Sequence, residues 1–201
     1  MTMHARSPLH FLAIIALAVS AEAQTAAAFS GADLAAAASA QIGITVVYDP
    51  AYASLKYPGG DVPMERGVCC DVVIRALRKH GIDLQKLVHE DMKSNFAAYP
   101  KNWGLRTTDT NIDHRRVPNL MKFFSRKGKS LPVSDNDADY QPGDLVTWML
   151  PGNLPHIGVI AVEKIAGTER RAVIHNIGRG AQREDALHAF EITGHYRWSA
   201  D

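Results

Sequence analysis

The order of two hydrophobic patterns along the chain most restricts what it can fold into. Before Pro132 the apolar residues recur at helical spacing. After Pro132 the pattern changes to short runs rich in β-branched and aromatic residues, at positions 144–148, 157–162, 171–174 and 190–196. No helix-sized crossover separates these runs, so neighbouring strands are expected to be antiparallel. The sequence predicts an α+β domain, with helices first and a mainly antiparallel sheet second.

The strongest helical pattern begins at Cys69 or Cys70 and stops at Gly81, with Arg75, Arg78 and Lys79 near its end. Basic residues there complement the helix dipole. Three other helices are predicted: an Ala-rich surface helix over 32–40, one from near Asp83 to before Pro100, and one from about Val117 to Lys127, closed by Gly128.

Charge and cysteine content exclude two classes of protein. The chain has 22 Lys and Arg against 21 Asp and Glu, a net charge of +1. Such a balance supplies no field to gather nucleic acid, so no nucleic-acid partner is expected. Two cysteines in 201 residues cannot build a disulfide scaffold. A hydrophobic core must therefore hold the fold together.

The N-terminus predicts an export signal. Arg6 precedes an apolar run from Phe11 to Val19, and Ala21-Glu22-Ala23 is a small-x-small triplet of the kind signal peptidase cleaves. Cleavage after Ala23 would give a periplasmic or secreted protein without stable membrane insertion; an uncleaved anchor is the alternative. We assign 1–23 to the signal peptide, 24–40 to an Ala-rich leader and surface helix, and 41–201 to a single domain, which we expect to be monomeric.

Cys69 and Cys70 are neighbours, too close for an ordinary disulfide, and no other cysteine can pair with them. Unpaired thiols are unusual in an exported protein. The start of a helix favours a thiolate, because free N–H groups and the positive end of the dipole stabilise negative charge. The alternative is a pair of small buried hydrophobic residues.

Two histidines mark the ends of adjacent predicted strands. His156 opens one strand, His175 closes the next, and their midpoint falls at Ile165 and Ala166, inside an evident turn. A hairpin folded there sets the histidines directly opposite each other, so that one imidazole can orient the other. A bulge at Gly167 would break this register. The alternative is two unrelated histidines.

These residues resemble a known family. The pattern consists of a helix-initial Cys followed by Pro142-Gly143-Asp144-Leu145-Val146, His156-Ile157-Gly158-Val159-Ile160 and Val173-Ile174-His175. This pattern is similar to the NlpC-type branch of papain-like cysteine peptidases, which cut bacterial cell-wall peptides. More closely, residues from about Gln41 to Tyr196 resemble the exported bacterial domain-of-unknown-function 1287 family. The stretches that carry this likeness are YDPAY, YPGGDVP, GVC, DVVIRA, GIDLQKLVHEDM, TNIDHRRVPNL, PGDLVTW, LPHIG and VIHNIG.

The resemblance implies roles for residues of this chain. Cys69 would be the nucleophile of an acyl-enzyme mechanism, His156 its proton carrier and His175 the group that orients His156. The Tyr57 hydroxyl would be a second oxyanion donor beside the Cys69 N–H, and Asn176 is the alternative orienting residue. Where NlpC-type enzymes have Asp-Cys-Ser-Gly, this chain has Val68-Cys69-Cys70-Asp71. Asp71 either caps the helix or binds a cationic amine in the cleft.

Other interpretations stay open at this point. Cys69, His156 and His175 could ligate zinc, although close ligand pairs such as CxxC or HxxxH are missing; we expect no metal and no cofactor. The turn Asp113-His114-Arg115-Arg116 either recognises a substrate carboxylate or is a solvated turn. The expected partners are peptidoglycan stem peptides or another peptide amide. The alternative functions are an inactive wall- or protein-binding module and thiol redox work by the two cysteines.

Overall fold

The fold is described from a computed structural model, which covers Met1 and residues 29–198. The predicted signal peptide and its cleavage after Ala23 lie outside the described residues. Within the described part of the chain, no helix has the length and apolar character needed to cross a membrane.

The described residues form four α-helices. They are α1 (Gly31–Ser39), α2 (Cys69–Arg78), α3 (Leu84–Ser94) and α4 (Val117–Lys127). Local signals explain their ends: the Ser30 side chain accepts the first-turn N–H of Asp33, the Asp83 side chain accepts that of Gln85, and Gly81 takes φ +80° after α2. The α1 helix, predicted to lie on the surface, buries one face into the core.

The described strands form two sheets. Their bounds are β1 (Val47–Tyr48), β2 (Arg66–Gly67), β3 (Lys129–Leu131), β4 (Leu145–Leu150), β5 (Leu154–Lys164), β6 (Arg171–His175), β7 (Gln182–Glu184) and β8 (Glu191–Arg197). β1 and β2 form a small parallel pair, and the other strands make a six-stranded sheet in the order β3-β8-β4-β5-β6-β7. Every neighbouring pair in that sheet is antiparallel, which confirms the predicted fold class.

The Cys helix lies at the centre of the core. Residues 69–77 of α2 are all buried, and the helix packs against α1 and β5. One apolar cluster joins α2 and α4 to the sheet, while a second, around Trp148 and Val173, includes residues of β4, β5 and β6. Because α2 is enclosed so fully, the position of its first residue is fixed by packing.

A bulge shifts the pairing of β5 with β6. Val159 pairs with Ile174, but Lys164 pairs with Arg171, so the register changes between Ile160 and Lys164. The predicted direct opposition of His156 and His175 is wrong because the turn lies further along the chain than expected, between Lys164 and Arg171; the register near Ile174 then sets His175 opposite residue 158. His156 lies two positions before residue 158 in β5 and on the same face of the sheet, which makes the two histidines a diagonal pair.

Candidate active site

Cys69 is the first residue of α2 and lies at the base of a cleft. The side chain is 4% exposed and lines a space of about 180 Å³. The cleft is bounded by Tyr48, Pro50, Val68, Trp103, Ile112, Arg115, Arg116, Val117, Pro118 and Pro155. A larger cavity of about 440 Å³, near Gln41 and Arg75, contains neither cysteine nor histidine among its lining residues. The smaller space is the one that combines a nucleophile with an opening.

The surroundings of the Cys69 thiol stabilise its ionised form. A hydrogen bond from the Cys70 thiol lowers its pKa most, and a hydrogen bond and positive charge from His156 and the N–H of Ile157 lower it further. Together these outweigh burial and hold the pKa of Cys69 well below its usual range. Burial raises the pKa of Cys70, and so does the neighbouring Cys69. Two adjacent thiols thus differ in character, and Cys69 is the one poised to be a nucleophile.

His156 and His175 are in direct contact. Nε2 of His156 and Nδ1 of His175 are 2.9 Å apart, and both rings are buried. This contact uses Nε2 of His156 and not its Nδ1, and the proximity of His156 lowers the pKa of Cys69. His156 therefore belongs to a chain of neighbouring side chains, between the Cys69 thiol whose pKa it lowers and His175, to which it is hydrogen-bonded.

Glu184 extends this chain and was missed by the sequence reasoning. Nε2 of His175 lies 3.0 Å from Oε2 of Glu184, whose other oxygen accepts a hydrogen bond from Arg179 at 2.9 Å. Burial lowers the pKa of His175 and so does the nearby His156, while Glu184 opposes this. A neutral His175 that donates to Glu184 through Nε2 accepts from His156 through Nδ1, an assignment that follows from the partners.

Gly158 is what lets His175 lie over β5. A Cβ at position 158 would lie 2.8 Å from Cγ1 of Val173 and 3.1 Å from Cβ of His175. Both distances are tighter than ordinary van der Waals contact, so a side chain here would displace the strand that carries His175. The glycine of the HIGV segment therefore serves the contact between the two histidines.

Asp71 caps the helix and forms a buried ion pair; it does not face the cleft to bind an amine. Its Oδ2 accepts the backbone N–H of Val68 at 2.7 Å. Both carboxylate oxygens accept from Arg115, at 2.9 Å from Nε and 2.9 Å from Nη2. Arg115 also donates to the carbonyls of Asp49 and Ala51. The pair thus ties the start of α2 to the loop that follows Tyr48.

Asn176 does not orient His156. Its Nδ2 donates to the Gly67 carbonyl at 3.0 Å, and its Oδ1 accepts the Gly178 N–H at 3.2 Å. The side chain therefore joins the end of β6 to the segment two residues before Cys69. Of the two neighbours considered, His175 contacts His156 and Asn176 positions the backbone around the thiol.

Tyr57 is not among the residues that line the cleft. Its ring packs edge-on against His89, with centroids 5.3 Å apart, on the side of α3. The tyrosine that lines the cleft with the thiol is Tyr48, to which the sequence analysis gave no role. Burial and the negative charge of Cys69 raise the pKa of Tyr48 to about 12. Its hydroxyl therefore stays protonated and can donate a hydrogen bond.

The turn before α4 is buried rather than solvated. Asp113, His114 and Arg115 form a 3₁₀ turn and are at most 6% exposed. Arg115 is engaged by Asp71, whereas Arg116 lies against the Trp103 ring, with its Cζ 4.4 Å from the ring centroid. The two arginines therefore differ in their availability to a ligand.

The side chains around Cys69 form a line and do not converge on a point. In the part of the chain that the structure describes, no group of three His, Cys, Asp or Glu side chains is placed to hold a metal ion. Both ring nitrogens of His175 are already engaged, by His156 and Glu184. This arrangement suits proton transfer better than coordination. Both cysteines are free thiols.

A cysteine at the start of a buried helix, packed on an antiparallel sheet whose strands carry the histidines, defines the α+β fold of this protein. The family model "Domain of unknown function (DUF1287)" matches residues 35–198, and the chain belongs to this family. It is 60% identical over 158 residues to "Uncharacterized protein YijF" of Escherichia coli (strain K12), a match over 79% of this chain and 77% of that protein.

Among solved structures, the chain is similar to NlpC2 from Trichomonas vaginalis. The superposition has a TM-score of 0.44 at 12% sequence identity and covers 88% of this chain. The chain spans half the length of that protein, 50% of which is covered.

Proposed function

We propose that this protein is an exported cysteine hydrolase that cleaves amide bonds in bacterial cell-wall peptides. The observation that carries the proposal is a Cys69 thiol that lines a cleft and whose pKa is lowered by His156, which is itself hydrogen-bonded to His175. A cysteine that only fills the core needs no histidine partner. Burying two histidines costs free energy that apolar residues at the same positions would not cost, so the buried pair favours a functional role. The low pKa of Cys69 gives the nucleophile that amide hydrolysis requires.

The reaction follows from these atoms. The Cys69 thiolate attacks the carbonyl carbon, and the carbonyl electrons move to oxygen. As the C–N bond breaks, the His156 imidazolium gives its Nδ1 proton to the leaving amine, and a thioester remains on Cys69. Water then attacks the thioester, His156 takes a proton from it, and a carboxylic acid and the free thiolate are released. His175 holds His156 with Nδ1 towards the sulfur.

The tetrahedral intermediate needs donors for its oxyanion. The N–H of Cys69 lies in the first turn of α2, where backbone donors have no helical acceptor. The Tyr48 hydroxyl replaces Tyr57 as the second donor in this proposal, because it borders the cleft and stays protonated. Removing one such donor from a hydrolase lowers kcat by about 10²–10³.

The predicted signal peptide supports export, and an exported amidase of this fold meets cell-wall peptides first. The test is to incubate the mature protein and its Cys69→Ala variant with purified stem peptides and to read the products by mass spectrometry. Cleavage by wild type alone supports the proposal. Equal products from both proteins remove Cys69 as nucleophile, and no products from either leave a binding module.

Glu184→Gln is expected to lower kcat about tenfold, or ~1.4 kcal/mol in the barrier, with little change in KM. The neutral side chain keeps an acceptor for His175 but no longer stabilises positive charge on the histidine pair. Because a carboxylate raises the pKa of a nearby imidazolium, its removal should move the basic limb of the pH–rate profile to lower pH.

The matched control is Glu163→Gln on β5, where the carboxylate pairs with Arg183 at the surface. That variant should keep the wild-type kcat and pH profile. A Glu184→Gln enzyme with an unmoved pH profile would show that Glu184 is structural and has no positioning role.

A further inference from the structure

Arg116 presents a guanidinium group at the cleft that contains Cys69. The residue precedes α4, and its side chain is 20% exposed, so most of its length is held by the protein. The guanidinium lies over the Trp103 ring at 4.4 Å from the centroid. Both residues line the cleft together with Cys69. A planar cation is therefore fixed next to the proposed nucleophile.

The Arg116 guanidinium has N–H donors without hydrogen-bond partners. Among the described residues it makes no side-chain hydrogen bond within ordinary geometry, and Nη1 is buried without a hydrogen-bond partner. Its nearest carboxylate oxygen is Oδ1 of Asp113, at 3.6 Å. This is an ion pair on the buried side of the guanidinium, but it is longer than a hydrogen bond. In contrast, Arg115 next to it is fully used by Asp71 at 2.9 Å.

Trp103 is held in an unusual way. The residue has φ +61°, in the left-handed region that bulky side chains rarely adopt, and it is 58% exposed. Strained backbone of this kind clusters at ligand clamps and active sites. Here the strain is matched by a specific contact, because the ring supports the Arg116 guanidinium from one side.

The charge of the cleft selects for anions. Its lining residues include two arginines, and none of the described residues that line it is Asp or Glu. Asp71 pairs with Arg115 at 2.9 Å, whereas the carboxylate nearest to Arg116 is 3.6 Å away, so Arg116 is the less tightly paired arginine of the cleft. A peptide with a carboxylate beside the scissile amide would accept hydrogen bonds from the guanidinium donors other than the buried Nη1, in the bidentate geometry that guanidinium groups favour.

We infer that Arg116, supported by Trp103, is a specificity-determining residue that binds a free carboxylate of the peptide substrate. The predicted effect on cleavage rests on the proposed function, whereas the predicted binding of a carboxylate does not. The substrate class it names is an acidic peptide: one with a free α-carboxylate or an acidic side chain near the cleaved bond.

The test compares one purified stem peptide with the same peptide after its carboxylates are converted to carboxamides. Wild type should cleave the acid form with a kcat/KM about 10–100 times that of the amidated form. Arg116→Gln should lose at least about tenfold on the acid form and nothing on the amidated form. Arg116→Lys, which keeps the charge but loses the planar fork, should fall between them.

Arg126→Gln is the matched control. It removes the same charge from the last turn of the same helix, about 15 Å away, where the guanidinium pairs with Asp91. This variant should keep the wild-type preference for the acid form. If Arg116→Gln keeps that preference too, or slows both peptides equally, the inference is overturned.

A binding measurement separates this inference from the proposed function. Calorimetry with Cys69→Ala and Cys69→Ala/Arg116→Gln proteins needs no turnover. At least tenfold tighter binding of the acid form, lost in the double variant, supports the Arg116 site even if wild type cleaves neither peptide. Equal affinity for the two forms, or binding of neither, overturns it even if the hydrolase proposal stands.

Discussion

Cys69→Ala protein is expected to hydrolyse its peptide substrate at least about 10⁴-fold more slowly than wild type, because no other group can form the thioester. Cys70→Ser should stay within about threefold, less than ~0.7 kcal/mol in the barrier, since a hydroxyl still donates to the Cys69 sulfur. The contrast is sharp because the two residues are adjacent and both buried. Steady-state kinetics on one stem peptide, with thermal melts of each variant, measures it.

The same contrast should appear without any substrate. A thiol reacts with iodoacetamide as its thiolate, so a lowered pKa moves the onset of alkylation to lower pH. Cys69 should therefore be modified well below the ordinary thiol pKa of ~8.5. Cys70, whose pKa burial raises, should stay unmodified throughout. Peptide mapping by mass spectrometry assigns the modification to one residue or the other.

Cys70→Ala supplies the internal control for this curve. The hydrogen bond from Cys70 is the largest influence that lowers the pKa of Cys69, so its loss should shift the alkylation curve to higher pH. His156→Ala should shift it in the same direction. Alkylation of Cys70 in preference to Cys69, or a curve that neither substitution moves, would contradict the assignment of Cys69 as the nucleophile.

The elements that the sequence predicts well are those with local causes. The α2 helix begins at Cys69, one of the two predicted starts, because its apolar pattern and the Gly81 that ends it lie within one short stretch of sequence. The strands β4, β5, β6 and β8 likewise follow from runs rich in β-branched and aromatic residues, whereas β7, with the sequence Gln-Arg-Glu, was not predicted. The contact between His156 and His175 could also be predicted from the sequence, because a hairpin brings the far ends of its two strands close together even when the exact register is unknown.

What the sequence could not supply depends on long-range packing. The sequence does not show that the turn is centred between Lys164 and Arg171, nor that a bulge lies next to it, so direct opposition was predicted where a diagonal pair occurs. Glu184 reaches His175 only because β7 adds to the sheet edge after an irregular connection. Tyr48 and Tyr57 are both near Cys69 in sequence, and only the paths of their loops separate the one that borders the cleft.

The burial of the 113–115 turn is the clearest case. Its charge density suggested solvent exposure, but Asp71 offers Arg115 a partner 44 positions away. A charged residue is buried when a distant residue of opposite sign is buried with it, and a single sequence does not report that pairing. The consequence for stability is large enough to measure.

Asp71→Asn is expected to destabilise the protein by about 3–5 kcal/mol, because it leaves Arg115 buried without a compensating charge. The two side chains are only 3% and 2% exposed, and solvent cannot replace the lost partner. The amide also weakens acceptance of the Val68 N–H at the start of α2. Urea denaturation should show a midpoint lowered by on the order of 1–3 M with an unchanged slope.

The double variant Asp71→Asn/Arg115→Gln decides whether the pair itself is responsible. Removing both charges relieves the unpaired guanidinium, so the double variant should be more stable than the sum of the single losses predicts, by at least about 1 kcal/mol. Glu169→Gln, which breaks an ion pair with Lys164 at the surface, should leave the midpoint unmoved. Additive losses in the cycle would mean that Asp71 acts through its helix cap alone. Arg115 also donates to the carbonyls of Asp49 and Ala51. Any loss of stability beyond that of the helix cap therefore measures how strongly the ion pair attaches the loop after Tyr48 to α2, the helix that begins with Cys69.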